Sequence, residues 1–198
     1  MDRKTQSRGE RGITLPELLC AMAILSMATI FGVGALARIL EQASTESVVG
    51  NVKSVVNLAS TQAIMKRCYV GVVFESGENG VTADLFLDGD GDGVNRVDIR
   101  RGTDSKLGSR ILLDEGKSFV GIPEGVVRGP GGEPIDPSNP VRFGRGDILS
   151  FSPTATATPG SLYVTDASGT VVWAFRVSGL GGRVRVYRWF KGKWNKLG

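Results

Sequence analysis

Residues 11–37 read RGITLPELLCAMAILSMATIFGVGALA, and from Leu18 to Ala37 no side chain carries a charge. As a helix, roughly 20 residues at about 1.5 Å each span about 30 Å, the thickness of a bilayer's hydrocarbon core, so the run reads as a membrane span. Ahead of it, residues 1–12 (MDRKTQSRGERG) set Arg3, Lys4, Arg8 and Arg11 against only Asp2 and Glu10. That basic flank predicts a cytoplasmic N-terminus, with everything beyond Arg38 on the far side. A secretory signal would have a shorter apolar region followed by a small-residue cleavage site, which this segment lacks. Instead Gly12 precedes the run and Glu17 stands alone near its start, where an unpaired carboxylate in lipid is costly and marks a functional position.

Those residues carry a resemblance. Arg11-Gly12-Ile13-Thr14-Leu15-Pro16-Glu17-Leu18-Leu19 resembles the class III signal of type IV pilins and pseudopilins. The resemblance implies that prepilin peptidase cuts after Gly12 and methylates the new terminus at Ile13, with Glu17 the fifth residue of the mature chain. Ile13 stands where the family usually has Phe. The physics of the segment agrees with such a cut. A helix beginning at Ile13 has Pro16 fourth, where an N–H would have no intrahelical partner in any case. Glu17 then sits at the positive end of the helix dipole, where its carboxylate can pair with the free amine of Ile13 on a neighbouring subunit. A plain single-pass anchor is the competing reading.

Beyond the apolar run the helical period continues. Val48, Val52, Val55, Ala59 and Ala63 form one stripe, with Glu46, Lys53 and Gln62 off it, predicting a helix over 13–66 whose stripe covers a sheet. Gly32, Gly34 and Gly50 are the positions where it would bend. From Tyr69 the period changes to two, and the spacing predicts strands at 69–75, 82–88, 95–101, 110–113, 117–122, 141–143, 147–152, 161–165, 170–177 and 183–190. Asp166-Ala167-Ser168-Gly169 reads as a hairpin turn, and 129–140 (GPGGEPIDPSNP) as a loop. The expected organisation is a leader (1–12), a membrane or filament-core helix (13–37), an amphipathic continuation (38–66) and a β head (67–198). This is an α+β fold, a long N-terminal helix packed on an antiparallel sheet. The resemblance makes it type IV pilin-like.

Composition narrows the chemistry. The 198 residues include 28 Gly, favouring turn-rich β structure, and no His, which removes His-dependent nucleophile triads, zinc sites and general bases. No enzyme and no small-molecule substrate are expected. Cys20 and Cys68 would lie about 70 Å apart on one helix against the roughly 7 Å a disulfide bridges, so both should be free thiols within the chain.

Two motifs remain in the head. Asp88, Asp90, Asp92 and Gly93 have the opening spacing of a calcium loop, but Ile99 stands where an EF-hand has its bidentate Glu. The run is either a Gly-Asp turn between strands or a weak calcium site, with Asp98 in reach; no other cofactor is expected. The tail from Arg176 carries Arg183, Arg185, Arg188, Lys191, Lys193 and Lys196 and no acid, while the chain as a whole is only +4. On a strand, Arg183, Arg185, Tyr187 and Trp189 share a face, about 6.6–6.8 Å between successive members. Such a face can grip phosphates and stack bases, or be a solvated strand whose Val184, Val186 and Phe190 point inward. Gly182-Arg183-Val184-Arg185 resembles the GRxR motif of FimT-type minor pilins, and FRVSGLGGRVRVY is similar to the end of the wider GspH/FimT family. That resemblance implies DNA binding through Arg183 and Arg185; the charge of the same tail adds Arg188 and Lys191 as candidate DNA contacts.

The reading that results is a GspH/FimT-type minor pilin or pseudopilin of a type IV pilus or a type II secretion filament. Its partners would be prepilin peptidase, other pilins, the inner membrane and, in the binding version, DNA. The head would lie in the periplasm.

Overall fold

The computed structural model describes residues 14–77, 80–114, 118–166 and 168–197; within the first helix the side chains of residues 28 and 30–46 fall outside that description. The chain divides into two compact units, Met1–Ala43 and Ser44–Gly198. Helix α1 runs Leu15–Lys66. Among the described residues no helix is long and apolar enough to cross a membrane. The expected span, 18–37, extends into residues whose side chains are outside the described set.

In the second unit the predicted stripe is the buried face of α1: Val48, Val52, Val55, Ala59 and Ala63 are all at most 3% exposed. Each buried valine contributes roughly 1.5–3 kcal/mol of transfer free energy, and the alanines let the helix lie close to the sheet. Against it lie two antiparallel sheets. The first is built from β1 (Val70–Gly77), β2 (Gly80–Leu87), β3 (Ser105–Lys106), β4 (Ile111–Leu112) and β7 (Leu149–Phe151), in the order β3-β2-β1-β7 with β4 also on β2. The second holds β5 (Ser118–Val120), β6 (Val141–Phe143), β8 (Gly160–Asp166), β9 (Val171–Val177), β10 (Val184–Phe190) and β11 (Lys193–Leu197), in the order β11-β10-β9-β8-β5 with β6 on β8.

The main core gathers the α1 stripe, Val70, Val72 and Phe74 of β1, Leu85 of β2, Phe151 of β7 and Trp173 and Phe175 of β9. The opposite face of the second sheet is covered too. Val172 and Ala174 of β9 form a smaller cluster with Ile122, Val126, Ile135 and Tyr163. Strand β9 is thus buried on both faces, which its run VVWAFRV allows because successive side chains point to opposite sides and nearly all are apolar.

Strands β8 and β9 pair antiparallel as the predicted hairpin, with Ala167 of its turn outside the described residues. The Val171 N–H donates to Asp166 Oδ1 at 2.9 Å, and Gly169 takes φ +69. One predicted strand is a helix instead. Residues 95–101 form α2 (Arg96–Arg101), because Asn95 accepts the N–H groups of Val97 and Asp98 and Gly102 closes the other end in the left-handed conformation. Asp98 in the first turn and Arg100 and Arg101 in the last complement the helix dipole, outweighing an alternation that mimics a strand. Strand β11, rich in Lys, had no apolar alternation to announce it; its lysines protect an otherwise open sheet edge. Cys20 and Cys68 are free.

Candidate functional site

At the N-terminus, Gly12 and Ile13 lie outside the described residues. Glu17 is within them, in the first turn of α1. Thr14 caps that helix. Its carbonyl accepts the Leu18 N–H at 3.1 Å, and its own N–H and hydroxyl donate to Glu17 Oε2 at 3.5 and 3.4 Å. Glu17 thus reaches back to the Thr14 N–H, one half of a capping-box arrangement, with Pro16 inside the first turn where no N–H is required. The pattern is visible in the sequence, but the charge of Glu17 overshadowed it.

The Asp run sits in the loop after β2. Asp88 is buried and accepts the N–H groups of Asp90 (3.2 Å) and Gly91 (2.8 Å) on Oδ1 and of Gly93 (3.1 Å) on Oδ2. Asp104, also buried, accepts from Gly89 (3.2 Å) and Asn95 (3.0 Å). These bonds assign the buried pair to holding the turn. Carboxylate oxygens of Asp88, Asp90 and Asp104 lie within 4.8 Å of one another, as do those of Asp90, Asp92 and Asp98. Asp104 was not anticipated, being distant in sequence. Loss of water, together with the charges of Asp90 and Asp98, pushes the Asp92 carboxyl above its ordinary value.

The basic tail divides between two faces of β10. Val184 and Val186 face the main core, as predicted. Arg188 shares their face, and with Lys191 it flanks Phe190 at 5.4 and 5.3 Å from the ring centre. Phe190 is 41% exposed rather than inward, because β10 outruns the core there. Arg185, Tyr187 and Trp189 lie on the opposite face, where Tyr187, Trp189 and Trp194 pack against the smaller cluster. The Trp194 indole N–H donates to the Arg128 carbonyl at 2.8 Å, and its ring meets Tyr163 edge-on at 6.3 Å. These aromatics are therefore half-buried packing rather than a free stacking platform. Arg183 and Arg185 on one side and Arg188 and Lys191 on the other do not form one surface.

What the structure brings together is different. Arg183 and Arg185 open onto a cleft of about 300 Å³ whose remaining walls are Arg176, Val177, Ser178 and Tyr187. Arg176 comes from β9, directly opposite Arg185 in the β9–β10 register. Directly opposed residues have Cβ atoms about 5 Å apart, so two like charges meet at a cost. Glu133, from the 129–140 loop, offsets it: its Oε1 is 3.3 Å from Arg176 Nη1. The turn between the strands places Arg183. Its carbonyl accepts the Ser178 N–H at 3.1 Å, and Gly181 and Gly182 take φ +70 and +57. A Cβ on Gly182 would meet the Phe151 ring at 2.6 Å, so the glycine before Arg183 is required by packing as well as by conformation. Arg176 escaped the sequence reading because only strand pairing brings it beside Arg185.

Residues 7–33 match the family model described as the prokaryotic N-terminal methylation motif. Comparison with curated proteins and with solved structures finds no match for the chain. The matched segment contains Gly12, Ile13 and Glu17, and the chain accordingly carries the N-terminal signal of type IV pilins and pseudopilins.

Proposed function

We propose that this pilin-like chain is a minor pilin or pseudopilin of the GspH/FimT type, held in the inner membrane with its head in the periplasm until it enters a filament. Prepilin peptidase cuts after Gly12 and methylates Ile13. Glu17 then pairs with the amine of a neighbouring subunit as the helices pack. The observation that carries this reading is the methylation motif over residues 7–33. Co-expression with a prepilin peptidase tests it: the wild-type chain should shorten, and Gly12→Val should stay at full length. Shortening of the variant to the same product would contradict the proposal.

The three-arginine cleft favours a second element of this function, capture of DNA by its phosphates through Arg183 and Arg185. A subunit that only primes or caps a secretion pseudopilus has no need of such a cleft. Gel-shift of the full chain in detergent, in a salt series, separates the two. Sequence-independent binding that weakens with salt and is lost in the Arg183→Ala/Arg185→Ala variant supports DNA capture; equal behaviour of variant and wild type removes it.

A further inference from the structure

Beside the cleft lies an acid that works against its charge. Arg176 faces Arg185 across the strand pair, yet its guanidinium is held by Glu133. The loop that delivers Glu133 is tightly wound. The Gly129 N–H donates to the Glu133 carbonyl at 2.7 Å, the Gly132 N–H donates to the Gly129 carbonyl at 2.9 Å, and Arg128 bridges to Pro134. The loop backbone closes on the carboxylate itself, since a Cβ on Gly129 or Gly131 would run into it. Glu133 is therefore aimed at Arg176 by local structure. The pair is nonetheless 39% and 34% exposed, which makes it weak and exchangeable in water.

We propose that Glu133 is an internal competitor for the phosphate-binding cleft, occupying Arg176 so that only Arg183 and Arg185 are available to a polyanion while the carboxylate holds it. This rests on the DNA-capture reading above and adds to it a third phosphate ligand and the group that holds it in reserve. The charge argument sets the sign. The cleft's cations carry three positive charges and Glu133 sets one negative charge against Arg176, so neutralising Glu133 strengthens the field and frees one more phosphate contact.

The test uses random-sequence duplex DNA and the full chain in detergent. Glu133→Gln should bind several-fold more tightly than wild type at low salt. One added phosphate contact steepens the log–log salt slope by about 0.9, so that advantage should shrink about threefold between roughly 50 and 200 mM salt. Arg176→Gln alone should change affinity less than about twofold, and Glu133→Gln/Arg176→Gln should lose the gain. Glu133→Ser, which removes the side chain without adding bulk, should reproduce the Gln result if the Gln variant melts early. Glu133 variants that bind like wild type or more weakly overturn the inference. If that happens while Arg183→Ala/Arg185→Ala still abolishes binding, DNA capture survives and only the role of Glu133 falls. A wild-type chain that binds no DNA at any salt overturns both.

Discussion

Arg185 stands directly opposite Arg176 across the β9–β10 pair, on the face where Val172 and Ala174 are buried. Like charges in that position disfavour strand pairing. The register holds because Val177, Phe175 and Trp173 on β9 and Val186 on β10 bury their other face in the main core. A slip of one residue would turn the slipped strand's core side chains away from the main core. The hydrophobic core thus imposes a juxtaposition that electrostatics alone would avoid, and a surplus of positive charge is fixed at one end of the sheet.

The turn that sets Arg183 depends on Gly182. Its left-handed backbone and its closeness to the buried Phe151 ring leave no room for a methyl group. Gly182→Ala should destabilise the protein by roughly 1–3 kcal/mol, read as a lower urea midpoint at unchanged slope. A midpoint equal to wild type would show that the turn tolerates a side chain.

Asp84 predicts a pH dependence. Burial raises its carboxyl, but hydrogen bonds and charge from Arg110 (Oδ2–Nη2 2.7 Å) and Lys106 (Oδ1–Nζ 2.8 Å) outweigh this and hold it below its ordinary value of 3.8. A carboxylate depressed in the folded state adds stability above its unfolded value and loses it as pH falls through the folded one. Asp84→Asn should cost roughly 1–3 kcal/mol at neutral pH. The gap between variant and wild type in thermal melts should close below about pH 4. A gap that stays constant with pH would assign the cost to packing instead.

In the Asp loop the buried and exposed acids should differ sharply. Asp88 holds three backbone N–H groups, whereas exposed Asp90, among the described residues, accepts that of Asp92 alone, at 3.4 Å. Asp88→Ala should cost roughly 1–3 kcal/mol. Asp90→Ala should stay within about 0.5 kcal/mol. Equal effects in chemical denaturation would mean that the turn is not held by Asp88.

Much of the scaffold was legible because it rests on period. The α1 stripe and the β8–β9 hairpin follow from side-chain spacing and turn chemistry visible over a few residues. The errors came where local and long-range signals conflict. Residues 95–101 alternate like a strand, but one Asn cap and one Gly turned them into α2. Phe190 reads as a core residue by alternation and lies exposed because the strand outlasts the core beneath it. Arg176 joins the cleft through strand pairing and Glu133 reaches Arg176 through loop closure, which no short window of sequence encodes. Thr14 and Glu17 did carry a local signature, the Thr-x-x-Glu spacing at the helix start, masked by the membrane context of the segment.

The central claim, that residues 7–33 are a processing signal, is tested most directly at the N-terminus of the protein isolated from its native host. Mass spectrometry should find a chain beginning at Ile13 with a single methyl group on its amine. A chain that retains residues 1–12, or one cut anywhere other than after Gly12, would contradict the account.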